Sequence, residues 1–208
     1  IIISVPNIQA SWILKVLYTI ICYQITMLNL VIAPHPDDEV LGVGGTICKL
    51  VEKGDRVVVV IIGTKENEDL AEYQRANKHL NVDQVIRFDE RFLDESLPEV
   101  IKYMIKELEQ VHQRLHSSTV FIPYKYDYNR DHSAVFDACN VAFRIQQDIS
   151  PTVYCYEVTS STNQYAPGIK PTFTPNVYSV LSNDHFNAKM NAIKQYSSQI
   201  KPEPHPRS

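Results

Sequence analysis

Leu28-Asn29-Leu30-Val31-Ile32-Ala33-Pro34-His35-Pro36-Asp37-Asp38-Glu39 is a short apolar run that passes through two prolines and a histidine into three consecutive acids. Leu28 to Ala33 has the length and composition of a strand buried on both faces. Pro34 and Pro36 hold the chain extended and deny the backbone a helix, which can begin only around Asp38 or Glu39. The ionisable groups therefore gather at the carboxyl end of a strand. In open α/β sheets that edge is where ligands bind.

Downstream, brief β-branched runs alternate with helical patterns, as a parallel sheet with crossover helices requires. The expected strands are Leu28 to Ala33, Arg56 to Ile62, Gln84 to Phe88, Thr119 to Ile122 and Thr152 to Glu157. Val40, Val43, Ile47 and Leu50 share one face of a helix. Ile101, Ile105, Leu108, Val111 and Leu115 share a second, and Ala134, Val135, Ala138, Val141 and Ile145 a third. Gly54-Asp55 closes the first helix in the manner of a C-terminal cap. Residues 159 to 176, rich in Ser, Thr, Pro and Asn, read as a long loop, and a last helix turns Phe186, Met190 and Ile193 inward. The expected fold is α/β, a Rossmann-like three-layer sandwich around a mostly parallel central sheet.

The chain has 208 residues, 44% hydrophobic and 21% charged, which describes a globular protein and excludes disorder, collagen and repeat arrays. Twenty Lys and Arg against 24 Asp and Glu give a net charge of −4 with no basic block, so nucleic acid is not an expected partner. Cys22, Cys48, Cys139 and Cys155 form no Cys-x-x-Cys pair and read as reduced core residues of a cytoplasmic protein. Residues 1–26 carry one charge, Lys15, and read as an extension ahead of a single catalytic domain at 27–208. A membrane span there would place Lys15 near mid-bilayer, so membrane association through residues 1–26 stays open but is not favoured.

His35 and Asp38 offer a nitrogen and a carboxylate oxygen suited to Zn²⁺, and Asp37 is left beside them as a free acid. A second polar cluster, Pro123-Tyr124-Lys125-Tyr126-Asp127-Tyr128-Asn129-Arg130-Asp131-His132, follows the fourth strand. If the strand order reverses between the first and fourth strands, the two clusters face each other across the crevice. His132 then completes a His, Asp, His set with a position open for water, the pattern of a catalytic zinc site. Asp131, its neighbour, is expected to accept the imidazole N–H.

Ala33-Pro34-His35-Pro36-Asp37-Asp38-Glu39 followed by Gly44-Gly45-Thr46 resembles the signature of the PIG-L/LmbE-like zinc-dependent N-deacetylases, and Pro123 to His132 resembles their second motif, P-x-x-x-D-x-H-x-D-H. Lys189-x-x-Ala192-x-x-x-Tyr196-x-x-Gln199 is similar to their C-terminal helix. The resemblance implies a Rossmann-like fold, zinc on His35, Asp38 and His132, and Asp37 as general base. It also implies removal of an acetyl group from an amino sugar of the N-acetylglucosaminyl type, with Arg75 and Asp94 near a small-molecule sugar conjugate.

Asn129 departs from the pattern, which commonly has histidine there. Asparagine can donate a neutral hydrogen bond to an oxyanion but cannot supply a proton, so Tyr126 or Tyr128 could share the role, and Tyr126 could stack on a sugar. The acid usually found after Arg75 is also missing, Asn77, Lys78 and His79 standing there instead. Two alternatives follow: a family member that binds metal and ligand without hydrolysis, or a hydrolase of another amide. A nucleotide-binding Rossmann protein is disfavoured, because Ile47 stands where Gly-x-Gly-x-x-Gly needs its third glycine and acids occupy the phosphate position. His79, His112, His116 and His185 lack a carboxylate at ligand spacing and read as surface residues. The sequence leaves the oligomeric state open.

Overall fold

The computed structural model describes residues 26–65, 70–145, 150–166 and 168–204. Residues 1–25, which hold nearly all of the expected extension, lie outside the described residues. Five strands, β1 (Leu28–Ala33), β2 (Arg56–Ile61), β3 (Gln84–Arg87), β4 (Thr119–Pro123) and β5 (Thr152–Tyr156), pair in the order β3-β2-β1-β4-β5, every neighbouring pair parallel. Among the described residues, five helices connect or follow them: α1 (Asp38–Glu52), α2 (Leu70–His79), α3 (Ile101–Leu115), α4 (Arg130–Ala142) and α5 (Asn183–Ile193). A short 3₁₀ turn, Leu97–Val100, leads into α3.

The expected strands form within a residue of their read boundaries. The order reverses between β1 and β4, which is the condition for the two polar clusters to meet. Helix α2 is not signalled by any clean apolar stripe; its presence follows from topology, since parallel β2 and β3 need a crossover.

The strands alternate with period two, but both faces are covered. Leu28, Leu30 and Ile32 with Val58, Val60 and Ile62 join one core beneath α3 and α4. Val31 and Ala33 with Val57, Val59 and Ile61 join the other, beneath α1, α2 and α5. This is why β1 and β2 read as unbroken apolar runs. The edge strand β5 is different: Thr152 to Cys155 are exposed and only Tyr156 is buried. Cys155 is accordingly a surface thiol rather than a core residue, while Cys139 is buried and Cys48 half-buried, all three unpaired.

Two helical stripes differ from their sequence reading. Helix α4 turns Ala134, Val135, Ala138, Cys139 and Ala142 inward and ends there, so Val141 is exposed and Ile145, past the helix end, is 91% exposed. In α5 it is Ala192 that is buried, whereas Phe186 and Met190 are 55% and 37% exposed. The reason lies in α1, whose glycines let partners approach its backbone closely. A Cβ on Gly44 would touch the Lys189 side chain and one on Gly45 would strike Leu181. Lys189 also donates to the Leu41 carbonyl at 2.7 Å. The docking face of α5 is thus Lys189, Ala192 and, one turn on, Tyr196.

Gly42 of α1 faces the buried ring of Tyr156, whose hydroxyl donates to the Ile32 carbonyl at 2.8 Å and so cannot swing away. Gly42→Ala gains helix propensity but drives its methyl into that ring. Overpacking wins, and the variant is expected to lose about 1–3 kcal/mol of unfolding free energy, read from its urea midpoint.

Candidate active site at the sheet's switch point

The loop after β1 is folded around its own acids. The Asp38 carboxylate accepts the His35 backbone N–H at 3.0 Å, and the Asp38 N–H donates to the His35 carbonyl at 3.3 Å. Between them Asp37 stands at φ 106°, ψ −27°, a left-handed conformation strained for any residue but glycine. Gly63, at the end of β2, donates its N–H to the Pro34 carbonyl at 2.7 Å; a side chain there would press on Pro34, His35 and Leu97.

Asp38 is wholly buried, and its Oδ2 lies 3.1 Å from His132 Nε2 and 3.4 Å from His35 Nδ1. The ligand atoms of His35, Asp38 and His132 all lie within 4.8 Å of one another. Donor pairs on one tetrahedral zinc with bonds of about 2.0–2.2 Å stand roughly 3.3–3.6 Å apart. The 3.4 Å separation falls on that edge and the 3.1 Å separation is slightly shorter than it. Asp38 Oδ1, also buried, has no hydrogen-bond partner among the described residues, which leaves the carboxylate a further lone pair toward a cation.

A second carboxylate layer holds the imidazoles. His35 Nε2 lies 2.9 Å from Asp131 Oδ2 and 3.0 Å from Asp94 Oδ1. His132 Nδ1 lies 3.2 Å from Asp127 Oδ2. The carboxylate beside His132 Nδ1 is therefore Asp127, near enough for an ion pair though without hydrogen-bond geometry, and Asp131 serves the other histidine. The geometry of α4 explains the exchange: Asp131 lies in its first turn, and its carboxylate accepts the backbone N–H groups of Glu95 (2.7 Å) and Leu97 (3.2 Å) on the His35 side. Asp127, fully buried, is held by the hydroxyls of Ser161 and Thr162 at 3.1 and 2.6 Å.

Burial alone would lower the affinity of His132 for a proton, but Asp38 and Asp127 outweigh it and lift its pKa to about 9. His35 is likewise held well above the ordinary histidine range, burial being overcome by Asp131, Asp38 and Asp94. Burial would raise Asp38, yet His132 and His35 hold it well below the usual carboxylate range. The contact with His35 lowers Asp94 to about 2. The cluster is thus a site of negative potential that favours cations.

Asp37 opens onto a cavity of about 230 Å³ whose wall also includes His35, Lys65, Asp94, Asn129 and Gln199. Asn129 caps α4, its Oδ1 accepting the Asp131 N–H at 2.9 Å. Asp94 reaches the site because Thr64 and Leu93 bridge, and its Oδ2 takes Lys65 Nζ at 3.3 Å. Arg75 is exposed on α2, and neither it nor Tyr126, whose ring lies 5.7 Å from that of Tyr124, is part of this wall.

Three buried contributors escape a linear reading. Glu39, 0% exposed, accepts the Tyr196 hydroxyl at 2.5 Å and Asn77 Nδ2 at 2.9 Å. Burial pushes its carboxyl up to about 7 against those two donors. Asn77, which breaks the expected pattern after Arg75, is thus part of the frame beneath the site. His185 has a partner after all, Glu52 at 2.6 Å, far from the site in sequence.

Residues 30–143 match the sequence profile described as PIG-L, GlcNAc-PI de-N-acetylase. The chain belongs to the PIG-L family. The protein is an N-deacetylase, a hydrolase of amide C–N bonds. The uncharacterized deacetylase YaiS of Escherichia coli K12 is 28% identical over 180 residues, covering 81% of this chain and 90% of its own. Among solved structures, a deacetylase of the teicoplanin biosynthesis pathway superposes with a TM-score of 0.68 at 17% identity, over 84% of this chain and 85% of its own. N,N′-diacetylchitobiose deacetylase from Pyrococcus horikoshii gives 0.59 at 21% identity, over 97% and 83%. At such identities these two likenesses speak for the fold. No helix among the described residues is long and apolar enough to cross a membrane.

Because Asp127 is the buried carboxylate beside His132 Nδ1, Asp127→Asn is expected to weaken divalent-metal affinity by about 10- to 100-fold while the chain stays folded, measured by competition against a chromogenic chelator.

Proposed function

We propose that the protein removes the N-acetyl group from an amino-sugar conjugate of the N-acetylglucosaminyl type, with Zn²⁺ held by His35, Asp38 and His132 and Asp37 as general base. The observation that carries this reading is the clustering of that three-residue ligand set beside Asp37, with Asp37 and one of the three ligands, His35, on a common cavity wall. Two imidazoles and one carboxylate are the donor set of a hydrolytic zinc site. Bound there, zinc supplies the positive charge that acidifies a water and polarises an amide carbonyl.

The chain's own groups do the rest. Asp37 takes a proton from the water as its oxygen bonds to the acetyl carbon. As the C–N bond breaks, Asp37 returns that proton to the nitrogen, so a free amine and acetic acid leave, the acid giving its remaining proton to solvent to become acetate, and the Asp37 carboxylate is restored. Asn129, its amide oxygen committed to the α4 cap, has Nδ2 left to donate to the oxyanion. Asp94 and Lys65 on the wall suit sugar hydroxyls. Asp131 and Asp127 fix the tautomers of the two imidazoles from behind. The cavity lies below the roughly 300–1,000 Å³ of a drug-sized pocket, enough for an acetamido group and its ring. Arg75 and Tyr126 can meet only a substrate that extends beyond it.

Asp37→Asn keeps the shape and removes the proton acceptor. It is expected to bind zinc stoichiometrically and to lose at least about 100-fold in kcat on N-acetylglucosamine conjugates, followed as free amine. A wild-type rate would refute the base. Removing metal with a chelator is expected to abolish amine release, and added Zn²⁺ to restore it. The presence of Asn129 favours one second reading, ligand binding without hydrolysis; stoichiometric zinc with no amine released across a panel of conjugates would select it.

A further inference from the structure

The segment that holds Asp37 is strained, and something other than the cavity keeps it in place. Asp37 is the residue at φ 106°, and its backbone N–H donates to Glu39 Oε2 at 3.1 Å. The other oxygen of the same carboxylate, Oε1, accepts from Tyr196 (2.5 Å) and Asn77 (2.9 Å). Glu39 does not line the cavity. It therefore ties the loop after β1 to α2 and to the chain just past α5, two elements that reach it from 38 and 157 residues away. Those elements are themselves braced: Ser197 and Ser198 hydrogen-bond Glu72 of α2 at 2.6 to 3.0 Å.

We infer that Glu39 is a positioning residue, whose buried carboxylate clamps the backbone of Asp37 in its left-handed conformation and so aims the Asp37 side chain at the reacting water. The inference rests on the proposed role of Asp37 as base. A left-handed non-glycine residue costs roughly 1–3 kcal/mol and persists only where its surroundings over-determine it. The hydrogen bond from the Asp37 N–H to a carboxylate buried among donors is such a constraint, and without it the residue relaxes to ordinary φ and the carboxylate moves. A misplacement of about 1 Å at a reacting group costs on the order of 100-fold in rate.

Glutamine is the informative substitute. Its single amide oxygen can serve the Tyr196 and Asn77 side or the Asp37 side, not both. Two donors on the Oε1 side against one on the other leave the amide NH₂ facing the Asp37 N–H, donor against donor. Glu39→Gln is therefore expected to lower kcat about 10- to 100-fold, with KM within about threefold and one zinc still bound per chain. Hydrogen exchange at the Asp37 backbone amide, followed by NMR, should accelerate at least about tenfold, which a residue that merely fills space would not cause. Unchanged exchange, unchanged kcat, or a loss shared by kcat, KM and zinc content would overturn the inference. Should E39Q fail to fold, Tyr196→Phe removes one donor and leaves the Asp37 bond in a weakened clamp. It should lower kcat severalfold at constant KM, and a wild-type kcat would count against the clamp. Assaying Asp37→Asn in parallel separates the two failures: an active D37N removes the base itself, whereas a dead D37N beside an unimpaired E39Q removes only the clamp.

Discussion

Asp38 is a carboxylate with no access to solvent, set between two imidazoles. Such a charge is tolerated only if it is paired and hydrogen-bonded; His35 of the same loop supplies one partner, and His132, the second, is close only because the sheet reverses its order between β1 and β4. His35 arrives from the loop after β1 and His132 from the first turn of α4. If β4 had joined the far edge of the sheet instead, Asp38 would lose His132 and keep only the partners of its own loop. The parallel order, the apolar strands that permit it and the acids at their carboxyl ends are thus one arrangement. The same constraint explains the layering behind the imidazoles, where Asp94, Asp127 and Asp131 each hold a ring nitrogen or the loop that carries it.

Local pattern made much of this legible. The run from Leu28 to Glu39 contains a strand, a helix-excluding turn and a helix start in twelve residues, so the position of His35, Asp37 and Asp38 follows from chain geometry alone. The cluster from Pro123 to His132 is legible for the same reason. Adjacency misled in one respect. Asp131 stands next to His132 in sequence, but consecutive residues on a helix diverge by about 100°, so Asp131 turns to Glu95, Leu97 and His35 while Asp127, five residues back in the loop, meets the ring. Glu39 and Tyr196 stand in the quoted motifs and Asn77 at a departure from the pattern, but that the three meet was illegible for a different reason: their contact depends on how α2 and the segment after α5 pack.

Packing also decided the two misread stripes. Phe186 and Met190 have the spacing of an inward face, yet the surface offered to α5 is the glycine-bearing side of α1, which rewards close approach over apolar bulk. Lys189 fits there, its stem lying beside Gly44 while its ammonium finds the Leu41 carbonyl, and Ala192 is buried one turn on. The outcome bears on the site, because the rotation that buries Ala192 is the one that brings Tyr196 to Glu39 and sets Gln199 on the cavity wall. With Phe186 and Met190 turned inward, that tyrosine would point elsewhere.

Asn129 concentrates the tension between frame and chemistry. As a helix cap, asparagine is among the best residues available, and its bond to the Asp131 N–H begins α4 at the place where Asp131 can face His35 and His132 can face Asp38. A histidine there would bring a group able to carry a proton into the cavity but would cap less well. Asparagine gives the cavity a neutral donor in a fixed orientation, because its oxygen is already committed to the helix. With the proton-carrying role absent from that position, the proposed reaction asks Asp37 to serve both the water and the leaving nitrogen. Whatever holds Asp37 in its strained backbone conformation therefore bears directly on turnover.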